Sequence, residues 1–185
     1  MKTVEEYNSK IKRVLVSEEE IKEAIARVGK EISDSYDGRP ILLVSILKGA
    51  FVFMADLCRA VTAPCEIAFM CAKSYYEGTV STGVVKITMD LEQDISKSHV
   101  VIAEDIVDTA RTLYDIVKLL KARNPLSLTV VTLLDKPSRR KLPLKADYVG
   151  AVIPDEFVVG YGLDYDEKYR HLRYVGVLAP HVYLK

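Results

Sequence analysis

Four short and almost uninterrupted apolar runs, Ile41 to Ile46, His99 to Ala103, Ser127 to Leu134 and Asp147 to Ile153, constrain the fold more than any other feature of this chain. A strand that alternates apolar and polar residues has one wet face, whereas a continuous apolar run has both faces covered. The stretches between the runs carry helical periodicity. Ser17 to Glu20 has the form of a capping box, and Ile21, Ala24, Ile25, Val28 and Ile32 follow at helical spacing until Asp37, Gly38, Arg39 and Pro40 break the pattern. Phe51 to Val61 continues as a helix after Lys48 and Gly49, and Leu113, Ile116, Val117, Leu119 and Leu120 mark a third helix over 112–122, stopped by Asn124 and Pro125. Strands alternating with helices predict an α/β fold, a mainly parallel sheet with helices on both faces. Such sheets bind ligands at the carboxyl ends of their strands. Two alternating segments, Ile67 to Cys71 and Val85 to Met89, flank a polar stretch from Lys73 to Gly83 and predict a hairpin-like excursion, and a late strand is expected over Tyr174 to Leu178.

At 185 residues the chain lies below the length, roughly 250–300 residues, at which single cores split, so one domain over residues 1–185 is expected. Twenty-six Lys and Arg balance 26 Asp and Glu. There is no global positive field, so no nucleic-acid partner is expected and any anion must be met locally. The first twelve residues carry five charges and no signal-peptide core, and the most apolar stretch, Ile41 to Leu57, is interrupted by Lys48 and Asp56. A cytoplasmic protein with no membrane partner is expected. Cys58, Cys65 and Cys71 match neither a zinc nor a C-x-x-C spacing and read as buried structural thiols. His99, His171 and His181 are scattered, and the basic residues Lys136, Arg139, Arg140 and Lys141 lack interleaved aromatics and read as a solvated loop.

The segment from Val100 to Thr112 concentrates the chemistry. Apolar residues bring the chain through a sheet, Glu104 and Asp105 stand at its carboxyl end, and Asp108 opens a turn with Thr109 and Thr112 before a helix. Free backbone N–H groups and hydroxyls at a helix N-terminus suit a phosphate, and adjacent carboxylates suit sugar hydroxyls or Mg²⁺ with its waters. Taken alone, three acids there fit an ordinary strand end with Asp108 as a helix cap. The whole pattern, an apolar run, Glu-Asp, two apolar residues and Asp-Thr-small-x-Thr, resembles the phosphoribosyl-pyrophosphate signature of the type I phosphoribosyltransferases. Leu47 to Ala50, Leu134 to Pro137, Ile153 to Tyr165 and Lys168 to Arg170 extend the likeness to the branch that uses hypoxanthine and guanine, over about Val14 to Tyr183.

The resemblance implies a parallel-sheet fold with a small hood built from the N- and C-terminal segments, and it assigns roles residue by residue. Lys48, Gly49 and Arg170 match pyrophosphate contacts, with the Leu47–Lys48 peptide often cis. Glu104 and Asp105 match the ribose and metal acids, and Asp108, Thr109, Ala110, Arg111 and Thr112 match the 5′-phosphate loop. Ala110 stands where the family usually has Gly, which predicts a slightly repositioned loop. Lys136 matches the donor to the purine 6-oxo group, Phe157 the ring that stacks on the base, and Val158 the backbone that pairs with its edge. Without the resemblance Lys136 reads as an exposed loop cation and Phe157 as a strand-edge hydrophobe. Asp164 matches a carboxylate that reaches a second Mg²⁺ through water and lies near the purine 2-position contacts. Ser74 and Tyr75 match a mobile loop that closes over the reacting centre.

The implied activity is Mg²⁺-dependent transfer of the phosphoribosyl group from phosphoribosyl pyrophosphate to hypoxanthine or guanine, with Asp108 as the acid/base at purine N7 and a homodimer or homotetramer as the assembly. Two alternatives stand beside it. One is a transferase that prefers xanthine or another 6-oxopurine. The other is a non-catalytic regulator of the same fold that senses a nucleotide or binds RNA, against which the joint presence of Asp108, Lys136, Phe157 and Arg170 speaks.

Overall fold

The computed structural model describes residues 4–77 and 80–184, with the side chains of residues 4, 73–77 and 80–85 outside that description. Among the described residues the strands form two sheets. The larger has six strands in the order β4 (Val80–Met89), β3 (Cys65–Glu77), β2 (Ile41–Leu47), β5 (His99–Val107), β6 (Ser127–Asp135) and β7 (Tyr148–Val152). All neighbours are parallel except the antiparallel β3–β4 ribbon at one edge.

Burial follows the apolar runs. Residues alternate between the faces of the sheet, so Leu43, Val101, Val131 and Leu133 join one core with helix α2 (Glu18–Tyr36) and helix α3 (Phe51–Ala60). Val44, Ile102 and Val130 join the other, under α4 (Arg111–Lys121). With a helix layer on each side, a charged side chain in mid-strand would have no water, which is why these runs are unbroken. The predicted capping box forms: Ser17 Oγ accepts from the Glu20 N–H at 3.2 Å and Glu20 Oε2 accepts from the Ser17 N–H at 2.7 Å. Helix α2 stops where Asp37 turns left-handed at φ 48° and Gly38 follows at φ 75°.

The second sheet has three antiparallel strands in the order β1 (Ile11–Val16), β9 (Val175–Leu178) and β8 (Val158–Val159). It is the hood: one strand comes from the start of the chain and two from its end. The short helices α1 (Val4–Asn8) and α5 (Pro180–Tyr183) flank it. The sequence reading contains β9 but not β1, β8 or α5.

One expectation is extended and one is corrected. The predicted hairpin forms as the antiparallel β3–β4 pair, with strands longer than the alternating segments: β3 runs on to Glu77 and β4 begins at Val80, with Ser74 registered opposite Val85. The Ser74 and Tyr75 side chains, on which the closing-loop expectation rests, lie outside the described residues. The three thiols are free and only half-buried. Cys65 and Cys71 share a strand face with Ile67 and Phe69, which are 47% and 40% exposed, on a strand near the sheet edge where helix cover gives out. No described helix is long and apolar enough to cross a membrane.

Candidate active site

The carboxyl ends of β2, β5 and β6 place the site. Strand β5 runs through Glu104 and Asp105 before the chain turns at 108–110 into α4. Ala110 is the residue before the helix and adopts φ 65°, ψ 8°, and the Arg111 N–H of the first turn donates to Thr109 Oγ1 at 3.5 Å. The left-handed residue bends the 108–110 turn so that the helix N-terminus faces back toward the strand end. Glu104, Asp108, Thr109, Arg111 and Thr112 line a hollow of about 140 Å³ there. The backbone N–H groups of a helix start concentrate positive potential, so the hollow suits one tetrahedral oxyanion.

Beside it the turn after β2 approaches from above. The Leu47–Lys48 peptide is cis. A Cβ on Gly49 would come within 1.8 Å of Asp105 Oδ2, and a Cβ on Gly162 within 2.1 Å of the Gly49 carbonyl oxygen. Both positions therefore require glycine, and Gly162 does so twice over because its φ is 96°. This stacking draws the 160–170 segment over the sheet end. There Arg170 donates from Nη1 to the Gly162 carbonyl at 2.8 Å and pairs through Nη2 with Asp164 at 2.9 Å. Arg170 also meets Glu167 at 3.2 Å, and Lys48 Nζ reaches the same Glu167 oxygen at 3.1 Å. The two cations matched to pyrophosphate thus converge on one carboxylate. Arg170 Nε is buried without a partner among the described residues.

The acids are electrostatically poised. Burial pushes the Glu104 carboxyl well above the ordinary carboxylate range, and the neighbouring Asp105 charge pushes in the same direction. Burial also raises Asp105, opposed by hydrogen bonding to backbone N–H groups, including that of Ile106 at 2.7 Å, and by the Arg170 charge. Buried carboxylates held in this way gain from a nearby cation. Glu104, Asp105 and Asp164 do not, however, close into a ready-made metal cluster among the described residues. The donor set is hard oxygen and fits a Mg²⁺ ion that brings further ligands with a polyanionic substrate, rather than an ion caged by protein alone.

On the far side lies a wall for a flat ligand. Lys136, at the end of β6, is buried at 6% exposure, which corrects the reading of an exposed loop cation. Burial lowers its pKa, the Asp108 and Asp155 charges oppose that, and its Nζ donates to the Glu156 carbonyl at 2.6 Å. The rest of the basic cluster is not uniformly solvated either, since Arg140 pairs with Asp135 in a largely enclosed contact. Arg139 donates from Nε to Asp108 Oδ1 at 3.1 Å and lies 3.6 Å from Asp155. Phe157 is 40% exposed beside Val158, which is buried as the first residue of β8. The structure therefore gathers at one sheet end the residues that the resemblance matches to the 5′-phosphate, pyrophosphate and purine. Sequence reasoning missed Gly162, Arg139 and Glu167. The first had a signal in the Gly-Tyr-Gly spacing and the second in the basic cluster, whereas an exposed Glu167 carries none.

A parallel sheet with an anion hollow at a helix start, a cis turn over an Asp and an antiparallel hood define the type I phosphoribosyltransferase fold. The chain belongs to the phosphoribosyltransferase family: the phosphoribosyl transferase domain matches residues 15–166. It is 49% identical over 173 residues to the hypoxanthine-guanine phosphoribosyltransferase of Staphylococcus aureus (strain Mu50), covering 94% of this chain and 97% of that one. It is also 49% identical over 179 residues to the bifunctional protein TilS/HprT of Listeria monocytogenes, where it covers 97% of itself but spans only 28% of the relative. The crystal structure of a hypoxanthine phosphoribosyltransferase from Staphylococcus aureus superposes with a TM-score of 0.95 at 46% identity and complete coverage of both chains. Hypoxanthine phosphoribosyltransferase from Trypanosoma cruzi in complex with the product IMP gives 0.88 at 47% identity, over 94% of this chain and 97% of that one.

Proposed function

We propose that this chain is a purine-salvage transferase that moves the 5-phosphoribosyl group from phosphoribosyl pyrophosphate to hypoxanthine or guanine, giving IMP or GMP and pyrophosphate. The observation that carries the reading is the convergence, at one sheet end, of an oxyanion hollow, two cations facing a second anion position and a buried lysine beside an exposed aromatic ring. The named relatives and the IMP held by the Trypanosoma cruzi enzyme support it.

In this reading the 5′-phosphate sits in the hollow against residues 108–112, where N–H groups and the Thr109 and Thr112 hydroxyls receive it. Lys48 and Arg170 leave Glu167 for the pyrophosphate and stabilise the charge that grows on it as the anomeric bond loosens. Glu104 and Asp105 accept hydrogen bonds from the ribose hydroxyls and, with Asp164, would hold Mg²⁺ or its waters. When bound, that ion would supply charge neutralisation of the leaving group. Asp108 takes or returns the proton at purine N7, with Arg139 fixing its orientation, while Lys136 donates to the 6-oxo group, Phe157 stacks on the ring and Val158 pairs through its backbone. The assembly is a homodimer or homotetramer and the transferase is a single domain over residues 1–185.

One assay tests the proposal: phosphoribosyl pyrophosphate, Mg²⁺ and each of hypoxanthine, guanine, xanthine and adenine, with nucleotide formation followed chromatographically. Hypoxanthine and guanine are expected to react. Product from xanthine alone would move the assignment to the xanthine-preferring reading, and no product from any base would leave a nucleotide-binding regulator.

A further inference from the structure

Phe157 is 40% exposed, and Tyr183 of α5 lies against one face of its ring, the centroids 4.7 Å apart with 20° between the planes, a stacked arrangement. Phe157 and Tyr165 make a T-shaped pair with centroids 5.7 Å apart. The stack is fixed through the backbone as well. The Leu178 N–H donates to the Phe157 carbonyl at 2.9 Å, the Ala179 N–H donates to the Lys10 carbonyl at 2.9 Å, and Pro180 then starts the single turn that delivers Tyr183. Tyr183 and Val182 also pack on a small cluster with Tyr7, Ile11 and Tyr174. A hood strand thus holds Phe157 by its backbone, and five residues further on the same segment presses a ring against its side chain.

An exposed phenyl ring on a loop samples rotamers, and ordering it on binding opposes affinity. A ring clamped from behind is ordered beforehand. We infer that Tyr183 is a positioning residue for the purine: it backs Phe157, so that the bound base is the third layer of a stack Tyr183–Phe157–purine. The inference rests on the proposed role of Phe157 and extends the purine site to a residue near the end of the chain, more than twenty positions away in sequence.

Steady-state kinetics of three variants test it, each first checked for wild-type-like thermal melting. Tyr183→Ala and Tyr183→Leu should raise KM for hypoxanthine by about 3- to 10-fold, the size of one aromatic contact, while KM for phosphoribosyl pyrophosphate and kcat stay within about twofold. Tyr183→Leu keeps apolar bulk without a planar ring, which separates stacking from packing, and Tyr183→Phe should restore the wild-type KM. In a Phe157→Ala background the effect of Tyr183→Ala should vanish, since no ring remains to be positioned. An unchanged purine KM in active Tyr183→Ala overturns the inference alone. So does a lowered one, which would mean that Tyr183 occupies the face the base needs. Wild-type protein that forms no nucleotide from any base overturns the proposed function and this role together.

Discussion

Asp108 lines the hollow at the start of α4 and pairs with Arg139, and its proposed acid/base role defines what its loss should do. Asn keeps its shape and accepting oxygen but cannot take a proton, so Asp108→Asn should lower kcat by about 10²–10⁴ with phosphoribosyl pyrophosphate affinity within a few-fold. Titration of donor binding beside turnover checks the split, and near-normal turnover would move the acid/base elsewhere. Two residues along, Ala110 keeps the left-handed conformation that Gly would adopt freely, at φ 65°, with its methyl group buried in the core under α4. A left-handed alanine costs about 1–2 kcal/mol. Ala110→Gly removes that strain but also removes a buried methyl group and adds freedom to the unfolded chain, each worth roughly 0.5–1 kcal/mol. The contributions nearly cancel, so the melting temperature should move by less than about 2 °C. Activity should change little. A gain of several degrees would mean that the strain dominates at this turn.

At the scale of elements, the chain advertises in its sequence what it buries on two sides. The runs at 41–46, 99–103 and 127–134 predict β2, β5 and β6 because helix cover on both faces admits no charged residue in mid-strand, and the capping box predicts the start of α2 to the residue. The hood is less legible. Strand β1 is mostly exposed along its length and β8 has two residues, so neither carries a period, and both exist because β9 offers edges on its two sides. The burial of Lys136 was hidden for a related reason: the Glu156 carbonyl that receives it lies twenty residues away. Tertiary ion pairs are equally invisible, and one is testable. Asp90, just past β4, pairs with Arg123, just past α4, at 2.6 Å. That hydrogen bond holds the Asp90 carboxyl below its ordinary 3.8. A carboxylate lowered by folding stabilises the protein above the unfolded value and loses that contribution as pH falls through the folded one. Half-exposed as it is, the pair is worth about 0.2–1 kcal/mol. Asp90→Asn should therefore melt about 1–3 °C lower at pH 7. The gap should close as pH falls below 3.8 and through the lowered folded-state value, and a gap independent of pH would assign the loss to something other than charge.

For the molecule as a whole, the proposed reading puts base specificity where the two sheets meet. Lys136 comes from the end of the parallel sheet and Phe157 and Val158 from the hood, and the Lys136–Glu156 hydrogen bond joins them. The hood alone offers a stacking ring, which any purine satisfies. The parallel sheet adds a buried ammonium group with three donors and no acceptor. A 6-oxo group accepts from it. The 6-amino group of adenine presents donors to it instead, and adenine N1 is an acceptor where a 6-oxopurine carries a hydrogen. Each buried polar group left unpaired costs roughly 1–3 kcal/mol, and two together give discrimination of about 10²–10⁴. Adenine should therefore show a kcat/KM lower than hypoxanthine by that factor. Lys136→Met should narrow the gap mainly by slowing hypoxanthine, because adenine has no 6-position acceptor that the loss of Lys136 would leave unpaired. Competition between the two bases in one reaction gives the ratio directly, free of differences in active-enzyme concentration. A ratio near one in the wild type would mean that the lysine does not read the 6-position, and that the junction of the two sheets holds the base by stacking alone.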